Sequence, residues 1–255
     1  MTDKSKAIVM VSGGLDSITT LHYALKKHSK SNIFVILFDY GQRHRKELDI
    51  AHDYLKFLGL DNKHIFNVKI RIPFSTSSLT STELDIPNEP VEQIGQGDIP
   101  STFVPGRNII FLGIAAGKLY EVTKGDKATP IIYYGANSLD YSGYPDCRPN
   151  FVKQMEKAIS EGLDLPIRIQ APYLTNTKAE IVKEGIKLGV HYDKTWSCYK
   201  GNNKPCLQCD SCKLRVKAFY EAGLIDPLFK PEEWNQILQK VGLRRLNIYQ
   251  TKRRK

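Results

Sequence analysis

Long apolar runs are what this chain of 255 residues lacks. None approaches the roughly 20 residues that span a bilayer. No long apolar segment precedes the first glycine pair, Gly13-Gly14. These absences exclude a membrane span and a secretory leader, so a cytoplasmic protein with no membrane partner is expected. Internal repeats and low-complexity tracts are missing too, which excludes a repeat array. Acidic charge is in short supply: 27 Asp and Glu stand against 37 Lys and Arg, for a net charge of +10. That excess is local. Residues 230–255 carry eight Lys or Arg and two Glu, hence six of the ten net charges, and end in TKRRK. A terminal charge run is most often a solvated end, so nucleic acid is not expected as a partner.

What is present is 41% hydrophobic residues, enough for one sizeable α/β domain with a small appendage. Apolar and helical segments alternate. Strands are expected at 8–11, 31–40, 64–70, 130–137 and 167–172. Helices are expected from residue 15, then over 43–60, 108–122, 149–162 and 177–190. Residues 71–106, rich in Ser, Thr, Pro and Gly, read as an irregular insertion. This order predicts a parallel sheet covered on both faces, with ligands at the carboxyl ends of its strands. Past that region, EEWNQILQKVG reads as a short amphipathic helix with Trp234, Ile237, Leu238 and Val241 on one side.

The first strand-to-helix turn, SGGLDS over 12–17, has two readings. It is a plain connection, or it is an anion cradle in which helix-start amides meet the positive end of a helix dipole. It lacks the Gly-Lys-Ser/Thr of a Walker A loop and the Gly-x-Gly-x-x-Gly of a dinucleotide site, which excludes both. Ser12 and Ser17 can grip phosphate oxygens. Asp16 beside phosphates makes sense with a cation such as Mg²⁺. The turn resembles the SGGxDS loop of the PP-loop ATP pyrophosphatases, which cleave ATP between the α and β phosphates.

Five cysteines are present, and four lie within CYKGNNKPCLQCDSC: Cys198, Cys206, Cys209 and Cys212. In a cytoplasmic chain disulfides are not expected. Four thiolates at this spacing match a tetrahedral zinc site with a structural role, and an iron–sulfur cluster is the competing reading. Cys147 stands apart, either as an activated nucleophile or as a packing residue.

Six further motifs join SGGLDS: DYGQRHRKE (39–47), STFVPGRNIIFL (101–112), GANSLDYSGYPDCRPNF (135–151), TNTKAEIV (175–182), TWSCY (195–199) and CDSCKLRVKAF (209–219). In this order, from about residue 7 to about 227, they resemble the QueC family of 7-cyano-7-deazaguanine synthases. The resemblance implies a Rossmann-like PP-loop fold with a C-terminal zinc-binding region. It implies ATP- and Mg²⁺-dependent adenylation of 7-carboxy-7-deazaguanine, attack by ammonia to give an amide, and a second ATP-driven dehydration to the nitrile. A homodimer and one Zn²⁺ on the four cysteines are implied as well. The organisation expected is an ATP-binding catalytic domain over 1–190, a zinc-binding region over 191–229 and a basic extension over 230–255.

The resemblance also assigns candidate roles. Ser12, Gly13, Gly14, Leu15, Asp16 and Ser17 form the phosphate cradle, with Tyr40, Gln42 and His44 toward the nucleotide. Lys178, at the start of a helix, offsets phosphate charge; the plain alternative is a surface lysine. Arg107 holds a carboxylate or phosphate in a forked contact, or makes a rim salt bridge. Asp140 or Asp146 reads the N–H edge of a guanine-like ring, Tyr141 and Tyr144 stack on it, and Arg148 meets the substrate carboxylate. Two features depart from the family pattern. Leu207 replaces the usual glycine after the second cysteine, and residues beyond AGLIDP extend the core. Those departures keep open a paralogue that passes the activated carboxylate to another amine, such as a protein N-terminus in phage defence. A non-catalytic nucleotide or tRNA binder is the remaining reading.

Overall fold

The computed structural model describes residues 4–43, 45–72, 76–97, 99–139 and 144–243. Five strands form one sheet: β1 (Ala7–Met10), β2 (Ile33–Asp39), β3 (Ile65–Lys69), β4 (Ile131–Tyr134) and β5 (Arg168–Gln170). Their order is β3-β2-β1-β4-β5, and every pair is parallel. The central sequences AIVM, IFVILF and IIYY are uncharged and buried throughout, as strands covered on both faces must be.

Alternate residues of each strand enter different cores. Ala7, Val9, Val35 and Tyr133 pack in one with helices α1 (Leu15–Lys27), α2 (Lys46–Phe57), α5 (Lys178–Lys187), α6 (Asp210–Ala222) and α7 (Trp234–Lys240). Ile8, Met10, Ile36 and Tyr134 pack in the other with α3 (Arg107–Thr123) and α4 (Pro149–Leu163). The expected alternation of strands and helices is therefore present, with all five strands and all five helices in their expected places. Between β3 and α3 the described residues hold neither helix nor strand. Leu79 and Val104 nevertheless anchor this insertion in the second core.

Helix α7 packs on this chain's own body, with Trp234, Ile237, Leu238 and Val241 all buried in the first core. No helix among the described residues is long and apolar enough to cross a membrane. The order in which strands are added to the sheet reverses between β1 and β4. From β1 the chain winds out through β2 and β3, then returns to the other side of β1. The loops that leave β1 and β4 both line a crevice at the carboxyl ends of the strands.

Candidate active site

The loop leaving β1 is wedged into that crevice by two glycines. Gly13 has φ +83°, and a Cβ on it would lie 2.4 Å from the carbonyl oxygen of Glu47 in α2. A Cβ on Gly135, just after β4, would lie 2.9 Å from Ser17 N. Inside the loop Ser12 N donates to Ser17 Oγ (3.1 Å), and Ser17 Oγ donates to Gly14 O (3.2 Å). Gly14 is the N-cap of α1 and offers no side-chain cap. The amides of Leu15, Asp16 and Ser17 thus open the helix without an intrahelical acceptor, which is the arrangement that receives an anion. Leu15 gives only its backbone, because its side chain is buried in the core.

Lys178 is the first residue of α5. A capping box fixes that helix start: Glu180 N donates to Thr177 Oγ1 (3.2 Å), and Thr177 N donates to Glu180 Oε2 (2.9 Å). From there Lys178 Nζ reaches Asp16 Oδ2 at 2.6 Å. The other carboxylate oxygen, Asp16 Oδ1, is buried with no hydrogen-bond partner. One engaged and one open oxygen beside a phosphate cradle fits Mg²⁺, which takes few protein carboxylates and completes its shell with phosphates and water.

These residues line a cleft of about 290 Å³, together with Tyr40, Glu47, Arg107, Asn108, Tyr144 and Tyr199. Arg107 opens α3 behind Gly106 (φ +73°) and donates from Nε to Asn108 Oδ1 at 3.3 Å. Its guanidinium lies 5.9 Å from the centre of the Tyr40 ring. Tyr144 bonds to Thr102 through its hydroxyl and lies tilted by 31° against the Phe103 ring, 5.9 Å between centres. Gln42 does not line the cleft. It is buried, accepts from Tyr40 N (2.9 Å), and donates to Phe38 O (3.3 Å) and Glu47 Oε1 (3.4 Å), bracing the loop from behind.

Glu47 is the cleft residue that the sequence motifs do not single out, although it closes DYGQRHRKE. By exposed area it is half-buried, but protein atoms crowd its carboxyl. Loss of water there, only partly offset by Arg107, pushes Glu47 up to about 7. It lies in the first turn of α2, over Gly13. Its reading needs the tertiary contact.

Two other candidates, Asp146 and Arg148, lie apart from the lining. Asp146 is buried beside Cys147, and its Oδ2 has no hydrogen-bond partner. Burial raises its carboxyl above the ordinary value, against the pull of Arg107. Arg148 is exposed at the N-cap of α4 and is not part of the cleft wall. His44, Asp140 and Tyr141 lie outside the described residues. Cys147 does line the cleft, but burial and the neighbouring Asp146 push its thiol up to about 12. It is held neutral at pH 7, which removes the thiolate that nucleophilic catalysis requires.

The four expected cysteine ligands converge. Their sulfurs all lie within 4.8 Å of one another, and Cys206 and Cys212 are 3.9 Å apart. A metal bound to four sulfurs at about 2.3 Å spaces them by about 3.8 Å, so the donor set fits a tetrahedral ion. Leu207, inside the loop, has φ +56°. It therefore occupies the left-handed conformation that glycine adopts freely and leucine does not. The cluster also touches the cleft. Trp196, two residues before Cys198, donates from its backbone N to Gly13 O at 2.9 Å. Tyr199 and Ser211, which flank the outer ligands, stand in the cleft wall. The base of α6 is held by a buried pair, Arg215 Nε to Asp226 Oδ2 at 2.6 Å, with Arg215 also donating to Thr195 Oγ1 at 2.7 Å.

Comparison with known proteins gives the chain a family. A family profile described as "Queuosine biosynthesis protein QueC" matches residues 6–223. A 7-cyano-7-deazaguanine synthase of Thermoplasma acidophilum is 46% identical over 230 residues, covering 89% of this chain and 92% of that protein. One of Trichodesmium erythraeum is 43% identical over 229 residues, covering 88% and 99%. One of Oceanobacillus iheyensis is 40% identical over 230 residues, again covering 89% and 99%. With most of its length matched by the profile and by these relatives, the chain belongs to the QueC family of queuosine biosynthesis proteins.

Proposed function

We propose that this chain converts 7-carboxy-7-deazaguanine to 7-cyano-7-deazaguanine with ATP and ammonia, through an acyl-adenylate and an amide. The observation that carries this reading is the Lys178–Asp16 pair set against the SGGLDS cradle in a chain of the QueC family. A carboxylate resists ammonia because it is anionic and its oxygen leaves badly. Adenylation corrects both faults. The enzyme then needs a phosphate cradle, a grip on a flat base and shelter from water.

The residues supply each. The hydroxyls of Ser12 and Ser17 and the amides of Gly14 to Ser17 hold phosphate oxygens. Lys178 neutralises charge as pyrophosphate departs. Asp16 Oδ1 holds Mg²⁺, which supplies further charge neutralisation on the phosphates when bound. Arg107 orients an anionic group at the far end of the cleft, and the Tyr144 ring offers a face for the base. Cys198, Cys206, Cys209 and Cys212 hold one Zn²⁺, whose role is structural because four ligands leave no open position.

The test is pyrophosphate release from ATP with 7-carboxy-7-deazaguanine and ammonium, with products read by mass spectrometry. The nitrile is expected. Pyrophosphate without nitrile would point to a different amine acceptor. No substrate-dependent release would refute the reading.

A further inference from the structure

Glu47 has no role in the reaction as described, yet it lines the same cleft as the SGGLDS turn. Its own backbone carbonyl is the atom that crowds Gly13 of the phosphate cradle. Glu47 lines the cleft that also holds Asp16, Arg107 and Lys178. Gln42 donates to its Oε1 at 3.4 Å and so fixes its orientation. Arg107 on α3 and Tyr40 at the end of β2 face it. Among the described residues it forms no ion pair.

We propose that Glu47 is the general base that takes the proton shed by the incoming nitrogen in the amide-forming step. The proposal rests on the proposed function. In that step the ammonia lone pair forms the C–N bond at the acyl carbon. The C–O bond to AMP breaks, and its electron pair leaves on AMP. The surplus N–H proton passes to the Glu47 carboxylate and from there to water, leaving the neutral amide. A carboxylate of ordinary acidity is a poor base for this task. Crowding of the Glu47 carboxyl brings it near neutrality, where general-base catalysis is most effective.

The experiment compares the wild-type chain with E47Q in two assays. ATP–pyrophosphate exchange, with 7-carboxy-7-deazaguanine but no ammonia, reads adenylation alone. Nitrile formation, expressed per free ammonia across pH, reads the later steps. Expected are exchange within about threefold of wild type, nitrile formation lower by about 10²-fold or more, and loss of the acid limb that wild type shows below about pH 7. Equal loss of exchange and nitrile would overturn the proposal and assign Glu47 to nucleotide binding. Full recovery of E47Q at high Mg²⁺ would overturn it in favour of a metal-binding role. Unchanged nitrile formation would also overturn it. A wild-type chain with neither exchange nor nitrile overturns the proposed function itself, an outcome distinct from the others.

Discussion

Lys178 Nζ lies 2.6 Å from Asp16 Oδ2, joining the first turn of α5 to the first turn of α1 across 162 residues of sequence. Both side chains keep some contact with solvent, 18% and 24% exposed. A pair of that kind contributes on the order of 1 kcal/mol or less to stability. Its purpose is then sought in the charge it presents to the cradle. Replacing the lysine by a neutral chain of similar length, Lys178→Met, is expected to lower substrate-dependent pyrophosphate release by about 10²-fold or more. The melting temperature should move by no more than about 2–4 °C. A variant that melts much earlier would show that the pair's main work is structural.

How much of this was legible in the sequence follows from the range of the interactions involved. The strands and helices are set by local periodicity, and the SGGLDS turn and the four cysteines are compact in sequence. Those features could be read directly. Lys178 was singled out because it opens a predicted helix at a place where the resembled family carries a lysine. Glu47 was not, because its importance comes from Gly13 pressing on the first turn of α2, a contact no spacing reveals. Gln42 and Arg148 show the converse. Both sit in motif stretches, but Gln42 turns behind the loop to Phe38 O and Arg148 faces outward from α4.

The raised Glu47 acidity also predicts a stability effect that is independent of catalysis. Its folded-state value of about 7 exceeds the ordinary 4.5. The folded chain therefore binds the proton more tightly than the unfolded chain, and stability from this group is lost as pH rises from about 4.5 to about 7. Glu47→Gln removes that loss. In ligand-free protein the variant's advantage in thermal melts should be near zero at pH 4.5, grow through this window and level off above it, at up to about 3 kcal/mol. An advantage that is constant with pH would mean the carboxyl is not perturbed.

Leu207 reverses an ordinary preference. In most helical positions alanine is more stabilising than glycine. At φ +56° the alanine Cβ keeps the left-handed penalty of about 1–2 kcal/mol, whereas glycine escapes it. Both substitutions lose the leucine side chain, which packs against the first core. Leu207→Gly should therefore melt above Leu207→Ala by about 2 °C, after allowing for glycine's greater entropy when unfolded. The opposite order would place Leu207 outside the left-handed region.

Trp234 ties the C-terminal helix into the body. Its side chain is fully buried, against Phe229 at 6.3 Å between ring centres. Trp234→Ala should cost about 3–5 kcal/mol in denaturant unfolding, the range for emptying a large aromatic site. Removal of residues 230–255 should cost at least as much. Little or no loss would show that α7 is a detachable appendage.

Metal removal should reach the cleft, because one backbone hydrogen bond connects the two. Trp196 N donates to Gly13 O at 2.9 Å, and Trp196 Nε1 donates to Cys198 O at 3.0 Å, so the cysteine cluster and the SGGLDS turn share one residue. Tyr199 and Ser211 beside the cluster line the cleft, so they are expected to leave its wall when the ion is removed. A strong chelator is expected to lower the melting temperature and abolish pyrophosphate release together, with one equivalent of Zn²⁺ per chain restoring both. Colourless protein that regains activity with Zn²⁺ alone identifies a zinc site, whereas a visible absorption band lost on chelation identifies an iron–sulfur cluster. Full activity in metal-free protein would mean that the Arg215–Asp226 pair and the core contacts of α6 hold the cleft wall without the ion.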